Sequence, residues 1–287
     1  MNDKLITLIS KNGKINGYIC TLRGVIDEVG ESQGLNLISK AVFARALSAA
    51  VLLSGSLKSD SDMLTLKWEC TGPVGAITVQ VNGKGIMRGN IKNRSLSLIE
   101  SSIDSEGFRT EPYMGFGEFV VSRKLFNSNR DYNSVGVIET GEIAEDITRF
   151  LSDSMQIDSG LKLGLDISPD NKTTAAGGIL LMAMPGASDQ DIDKIEAVID
   201  NLNSVTRILS VLDKNTIKKF ADDNDLIVVG ERSISFECGC NADKIKSVMK
   251  QLSYEEFTHY ITDEGIISAV CEFCNKKYDF TPEEIRQ

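Results

Sequence analysis

Two cysteine pairs near the C-terminus hold the residues of this 287-residue chain best suited to chemistry: Cys238-Gly239-Cys240 and Cys271-Glu272-Phe273-Cys274. They contain four of its six cysteines, and residues 241–270 between them contain none. A Cys-x-Cys and a Cys-x-x-Cys joined by an ordered hairpin or helical segment can aim four sulfurs at one point. Tetrahedral zinc, with Zn–S near ~2.3 Å, asks for that arrangement. We therefore expect Cys238, Cys240, Cys271 and Cys274 to form one four-cysteine site for a single zinc ion.

The same spacing permits redox chemistry. A thiolate is both the metal ligand and the nucleophile that oxidants attack. Partners two or three positions apart can each close a local disulfide once one sulfur is oxidised. Cys271-x-x-Cys274 has the usual redox spacing, while a Cys238–Cys240 bond would be strained and readily reduced. Oxidation would eject the metal and remove roughly 10–16 kcal/mol of apparent binding energy. A whole domain is typically stable by only about 5–15 kcal/mol. His259, the single histidine, falls in a predicted helix and is read as a surface or half-buried residue. Cys20 and Cys70 fall in predicted strands without partners at metal spacing, and are read as buried apolar thiols.

The elements that position the cysteines can be read locally. Asn241 caps a helix running to Leu252, and Ser253-x-x-Glu256 is a capping box for a second helix through Tyr260. Ile266–Val270 leads as a strand into Cys271, Tyr278 and Phe280 alternate out of the turn, and Thr281-Pro282 opens a last helical turn. A module this small needs a metal to fold.

Upstream, short β-branched runs at 4–9 and 17–23 flank the turn Asn12-Gly13. Residues 35–57 read as a helix buried over most of its circumference, with Lys40 and Arg45 on its wetter edge. Strands follow at Met63–Cys70, Ala76–Val81, Ile86–Ile91, Phe116–Leu125, Val135–Thr140, Leu161–Ile167 and 177–185, with an amphipathic helix at Glu142–Met155. Gly83-x-Gly85 reads as a tight turn and not a phosphate loop. No βαβ rhythm is present, so the fold class is α+β, with an antiparallel or mixed sheet over residues 1–185. From Ser188 to Leu212 the apolar residues Ile192, Ile195, Ile199, Leu202, Val205, Ile208 or Leu209, and Leu212 keep helical spacing. Asp, Asn and β-branched residues fill the same stretch, so that helix should depend on docking. A short helix and the strand Leu226–Val229 complete a linker region, 186–236, before the cysteine module, 237–287.

Composition narrows the partners. The net charge is −10 and the pI about 4.8, the reverse of what phosphate neutralisation requires, so no nucleic acid is expected. Lys218-Lys219 and Lys276-Lys277 read as solvated surface. No apolar run is expected to reach the roughly 20 residues that cross a bilayer. The start Met1-Asn2-Asp3-Lys4 lacks the pattern of a signal peptide. A cytoplasmic location is therefore expected, where thiols stay reduced. No nucleotide loop, catalytic triad or second histidine suggests an enzyme.

Taken together, Phe236-x-Cys238-x-Cys240, Cys271-Glu-Phe-Cys274 followed by Tyr278-x-Phe280, and the strand from Ala176-Gly177-Gly178 to Pro185 give the chain a resemblance. It resembles the heat-shock protein 33 family of redox-regulated holdase chaperones along essentially its whole length. Where that family usually has Ser-Glu-Gln, this chain has Ser154-Met155-Gln156, so no acidic residue stands there. The resemblance implies an ATP-independent chaperone, inactive when reduced and zinc-bound. It further implies that oxidation pairs Cys238 with Cys240 and Cys271 with Cys274, releases zinc, unfolds the metal module and loosens a metastable linker. Unfolding client proteins would then be captured, commonly by a homodimer. A zinc-ribbon adaptor would instead need a basic module face, against which Asp263, Glu264, Glu272, Asp279, Glu283 and Glu284 argue. A thiol–disulfide oxidoreductase would place its Cys-x-x-Cys at a helix N-terminus.

Overall fold

Alternating apolar residues in β1 (Lys4–Ser10) and β2 (Ile15–Thr21) feed both faces of one sheet. Leu5, Tyr18 and Cys20 face one core, and Ile6, Leu8, Ile15 and Ile19 face another, as the two-residue period of a strand demands. The computed structural model describes residues 3–104, 107–128, 131–202, 205–210, 213–253, 260–262 and 265–286. The chain divides into two units, 1–236 and 237–287.

The first unit continues with α1 (Arg23–Gln33), α2 (Leu37–Leu53), β3 (Met63–Cys70), β4 (Ala76–Asn82), β5 (Ile86–Ile91), β6 (Ile103–Asp104), β7 (Gly107–Phe108) and α3 (Glu111–Met114). Next come β8 (Gly117–Lys124), β9 (Asp131–Ile138), α4 (Ile143–Asp153), β10 (Ser159–Ile167) and β11 (Thr173–Ala183). It ends with α5 (Asp189–Asp200), α6 (Val205–Ser210), α7 (Lys214–Asp223), β12 (Leu226–Ser233) and β13 (Ser235–Phe236). One sheet has the order β10-β11-β2-β1-β12 and is antiparallel throughout. The other runs β13-β5-β4-β3-β8-β9, with β13 alone parallel to its neighbour. The α+β class holds.

Helix α2 packs against both sheets. All of its residues except Leu37, Ile38 and Arg45 are buried, as expected of a helix apolar all round. Leu37–Ser56 is in fact long and apolar enough to cross a membrane, contrary to the reading from sequence, but 83% of the qualifying window is buried within the protein. Its apolar character serves the core.

Lys40 also overturns an expectation. It is 4% exposed, and its Nζ lies 2.6 Å from Asp27 Oδ1 on α1 and 2.8 Å from the Asn171 carbonyl. Partners on two other segments make burial of the ammonium tolerable. Arg45 is half-buried. Its guanidinium donates to the carbonyls of Ala41 and Phe108 and lies over the Phe108 ring.

Helix α1 is absent from the sequence reading because its start signal is remote. Its N-cap residue Leu22 makes no side-chain cap; instead Asp3 Oδ2 accepts the Val25 N–H at 2.6 Å. The strand expected at 17–23 accordingly stops at Thr21.

The helix expected over 188–212 is two. Ser188 and Asp191 form a reciprocal capping box for α5, which ends at Asp200, and α6 begins at Val205. The anticipated docking is present. Ile195, Val198, Leu202, Val205, Leu209, Ile217 and Phe220 form a second core with Ile6, Leu8, Ile15, Ile19, Ala175, Ile179 and Leu181 of the five-stranded sheet. Strand β12 then pairs with β1 from Lys4↔Ser233 to Ser10↔Leu226, so residues 186–236 belong to the first unit.

Candidate metal centre

The second unit carries α8 (Ala242–Met249), β14 (Ile267–Val270), β15 (Lys277–Phe280) and a terminal helix, Pro282–Arg286. Asn241 caps α8 by accepting the Lys244 N–H at 2.9 Å. This fixes the exit of the first cysteine pair. Gly239 has φ +65°, a left-handed conformation suited to glycine, and its carbonyl accepts Lys244 Nζ. The second pair sits in the turn from β14 to β15. Asn275 N–H donates to the Cys271 carbonyl at 2.8 Å, Cys271 N–H donates to the Lys276 carbonyl at 2.9 Å, and Asn275 takes up φ +60°. The predicted helix from Ser253, with its Glu256 and His259, falls largely on 254–259, outside the described residues.

The four sulfurs of Cys238, Cys240, Cys271 and Cys274 lie within 4.8 Å of one another. The short separations run between the pairs: Cys238–Cys271 is 3.3 Å and Cys240–Cys274 is 3.4 Å. A zinc tetrahedron with Zn–S of ~2.3 Å has edges of about 3.8 Å, inside this range. Four thiol donors converging from two turns fit zinc by number, softness and spacing. The surrounding core is small: Met249, Ile267, Ala269, Cys271, Tyr278, Phe280 and Ile285. That is little apolar surface for an independent fold, which suits metal as a source of stability.

Tyr278 joins the cluster unannounced by the cysteine spacing. Its hydroxyl is 3.0 Å from Cys240 Sγ. The signal was its two-residue spacing from Phe280 on β15, which puts both rings on the core face of the strand. Burial opposes ionisation of Cys240, but the Tyr278 hydroxyl and the thiols of Cys274, Cys238 and Cys271 outweigh it and bring the thiol down to about 7. Burial pushes Cys238 up, with Cys271 acting in the same direction. Cys274 is also raised, chiefly by burial.

Cys20 and Cys70 stand outside the cluster. Cys20 is fully buried, with its Sγ 3.8 Å from the Ser48 carbonyl, and burial holds it protonated. Cys70 is only half-buried, less than expected, and burial again raises its thiol. Cys274 leads into a turn and β15, not into a helix N-terminus. Glu272, Asp279, Glu283 and Glu284 are exposed on the module. The first arrangement is unlike a thiol–disulfide oxidoreductase, and the second is unlike a nucleic-acid-facing zinc ribbon.

Comparison with known proteins agrees over the full length. The family model described as Hsp33 protein matches residues 3–281. The 33 kDa chaperonin of Enterococcus faecalis is 30% identical over 99% of this chain and 95% of its own length. That of Geobacter sulfurreducens is 28% identical over 100% and 95%. The crystal structure of the 33 kDa chaperonin of Thermotoga maritima, a heat shock protein 33 homolog, superposes with a TM-score of 0.86 at 25% identity. The match covers 100% of this chain and 97% of that one.

Proposed function

The chain belongs to the Hsp33 family, and from that premise we propose that it is an ATP-independent holdase chaperone switched on by oxidation. The observation that carries the reading is the gathering of four thiols within 4.8 Å in a module with little core of its own. Cys238, Cys240, Cys271 and Cys274 are the zinc ligands of the reduced state. Zinc, when bound, holds the four sulfurs as thiolates and contributes most of the free energy that keeps the module folded.

An oxidant such as hydrogen peroxide takes two electrons from each pair. Cys271 joins Cys274 and Cys238 joins Cys240, each disulfide forming as one peroxide becomes two waters. The sulfurs then no longer serve as ligands, and the module, 237–287, loses its fold. Only Glu237 separates Phe236 of β13 from Cys238. Unfolding can therefore pass along the chain into the linker, 186–236, whose α5 and α6 are rich in weak helix formers. Undocking the linker uncovers the apolar face of the five-stranded sheet, including Ile6, Leu8, Ile15 and Ile19. Residues 1–185 are the chaperone core. Unfolding proteins bind the uncovered surface, and the active form is a homodimer in the cytoplasm. The net charge of −10 supports a protein without nucleic-acid or membrane partners, and no enzymatic step is assigned.

The test is light scattering of a heat-unfolding client with reduced, zinc-loaded and peroxide-oxidised protein side by side. Protection by the oxidised form alone is expected, and equal protection by both forms would sink the switch. Peptide mapping of the oxidised protein should find disulfides within each cysteine pair; bonds between the pairs, where the shortest sulfur separations lie, would overturn the pairing.

A further inference from the structure

We propose that the Tyr278 hydroxyl is a positioning group for the metal centre, donating to Cys240 Sγ to aim that sulfur at the other three and to restrain its attack on oxidants. The inference rests on the zinc-thiolate reading above and adds a residue that cysteine spacing does not reveal.

The geometry is built from several contacts. Tyr278 lies opposite Ala269 in the β14–β15 pairing, and its ring lies nearly parallel to that of Phe280, at 6° with centroids 6.4 Å apart. The ring is buried at 8% exposure, so the hydroxyl is delivered to the sulfur at 3.0 Å by a fixed platform. Lys276 Nζ stands 5.3 Å from the ring centroid. An ammonium over a π face draws on its electron density and should make the phenol a stronger donor. Cys240 takes this hydrogen bond from a side chain, which a single substitution can remove.

The chemistry follows from where the lone pairs go. Attack by the Cys240 thiolate on hydrogen peroxide forms an S–O bond, breaks the O–O bond and yields a sulfenic acid and hydroxide. A neighbouring thiol then forms the S–S bond as the S–O bond breaks, and the hydroxyl leaves as water with the thiol proton. Both sulfurs are oxidised and the peroxide is reduced. A hydrogen bond to Cys240 Sγ withdraws electron density from the pair that starts this sequence. It also sets the direction from which that sulfur approaches a metal, the usual role of groups around a first ligand shell.

Tyr278→Phe keeps the ring and removes only the hydroxyl. In the full-length reduced protein, zinc competition against a chromogenic chelator should show affinity weakened about tenfold, within the range for loss of an outer-shell partner. At saturating zinc, iodoacetamide labelling followed by mass spectrometry should show Cys240 alkylated several-fold faster than in the parent, with Cys271 unchanged. Tyr278→Leu, which removes ring and hydroxyl, controls for packing: a purely structural role predicts that Phe behaves like the parent and Leu alone is impaired. Equal zinc affinity and equal Cys240 labelling in parent and Phe variant would overturn the inference and leave the zinc reading intact. A parent protein that binds no zinc would overturn both.

Discussion

Asn12 Nδ2 donates to Asp191 Oδ1 at 2.8 Å, joining the β1–β2 turn to the first turn of α5. The other oxygen of Asp191 accepts from the Ser188 amide and hydroxyl and completes the capping box. Beside it, the Asp225 carboxylate takes Lys11 on one oxygen and Lys194 on the other, each at 3.0 Å. One short turn thus clasps the start of α5 and the residue just before β12. Replacing Asp191 with Ala removes a cap and a clasp together. Hydrogen exchange should show faster exchange of the amides in 192–200, with the strands of the six-stranded sheet unaffected.

Ile195 is 1% exposed in the second core. Ile195→Ala removes buried apolar volume and should cost about 2–5 kcal/mol, felt first by the docked segment. Limited proteolysis should cut residues 189–223 earlier than in the parent. On the proposed mechanism the reduced variant should also protect a client partially. Full proteolytic resistance would show that the segment does not depend on this docking.

The Asp27–Lys40 pair makes a pH prediction. Burial opposes ionisation of Asp27, but hydrogen bonds from Lys40 and Thr173, together with the Lys40 charge, hold its carboxyl below the usual range. A depressed folded value means that the stabilisation is fully present above the unfolded value, about pH 4. It is lost as pH falls through the folded value. Asp27→Asn should therefore lower the melting temperature at pH 7, and the gap to the parent should close below about pH 4. A gap independent of pH would assign the effect to packing.

Cys271 is the most buried of the four clustered thiols, at 6% exposure. Cys271→Ser should lower zinc affinity by orders of magnitude, because a hydroxyl replaces a thiolate ligand. The second unit should lose its dispersed amide signals by NMR and the linker, 186–236, should lose part of its own, while residues 1–185 keep theirs. Stripping the parent with a strong chelator under reducing conditions should give the same spectrum. Stoichiometric, tight zinc in the serine variant would refute four-sulfur coordination.

Gly177 has φ +142°, and a Cβ there would lie 1.9 Å from the Cys20 carbonyl oxygen. Gly177→Ala must push β11 off β2, with a cost on the order of 3 kcal/mol. A drop in the denaturation midpoint checks it, and an unchanged midpoint would show that the strand pair can yield there.

Residue order alone determined much of this protein. The two cysteine pairs, the helix centred on Ala46, the alternation of Leu64, Leu66 and Trp68, and the cap at Asn241 are patterns within a few positions of one another. Backbone periodicity turns such patterns into faces. The docking need of 188–212 was also legible, because its weak helix formers and its apolar stripe lie in the same stretch. Tertiary structure decided the rest. Asp3 caps α1 from outside the helix, Lys40 is drawn inside by Asp27 and Asn171, β12 closes on β1 across most of the chain, and Tyr278 reaches Cys240. In each case the partner that sets the energy is distant in sequence or approaches from another element. No local pattern specifies it, and burial gives each contact its consequence by removing the water that would otherwise compete.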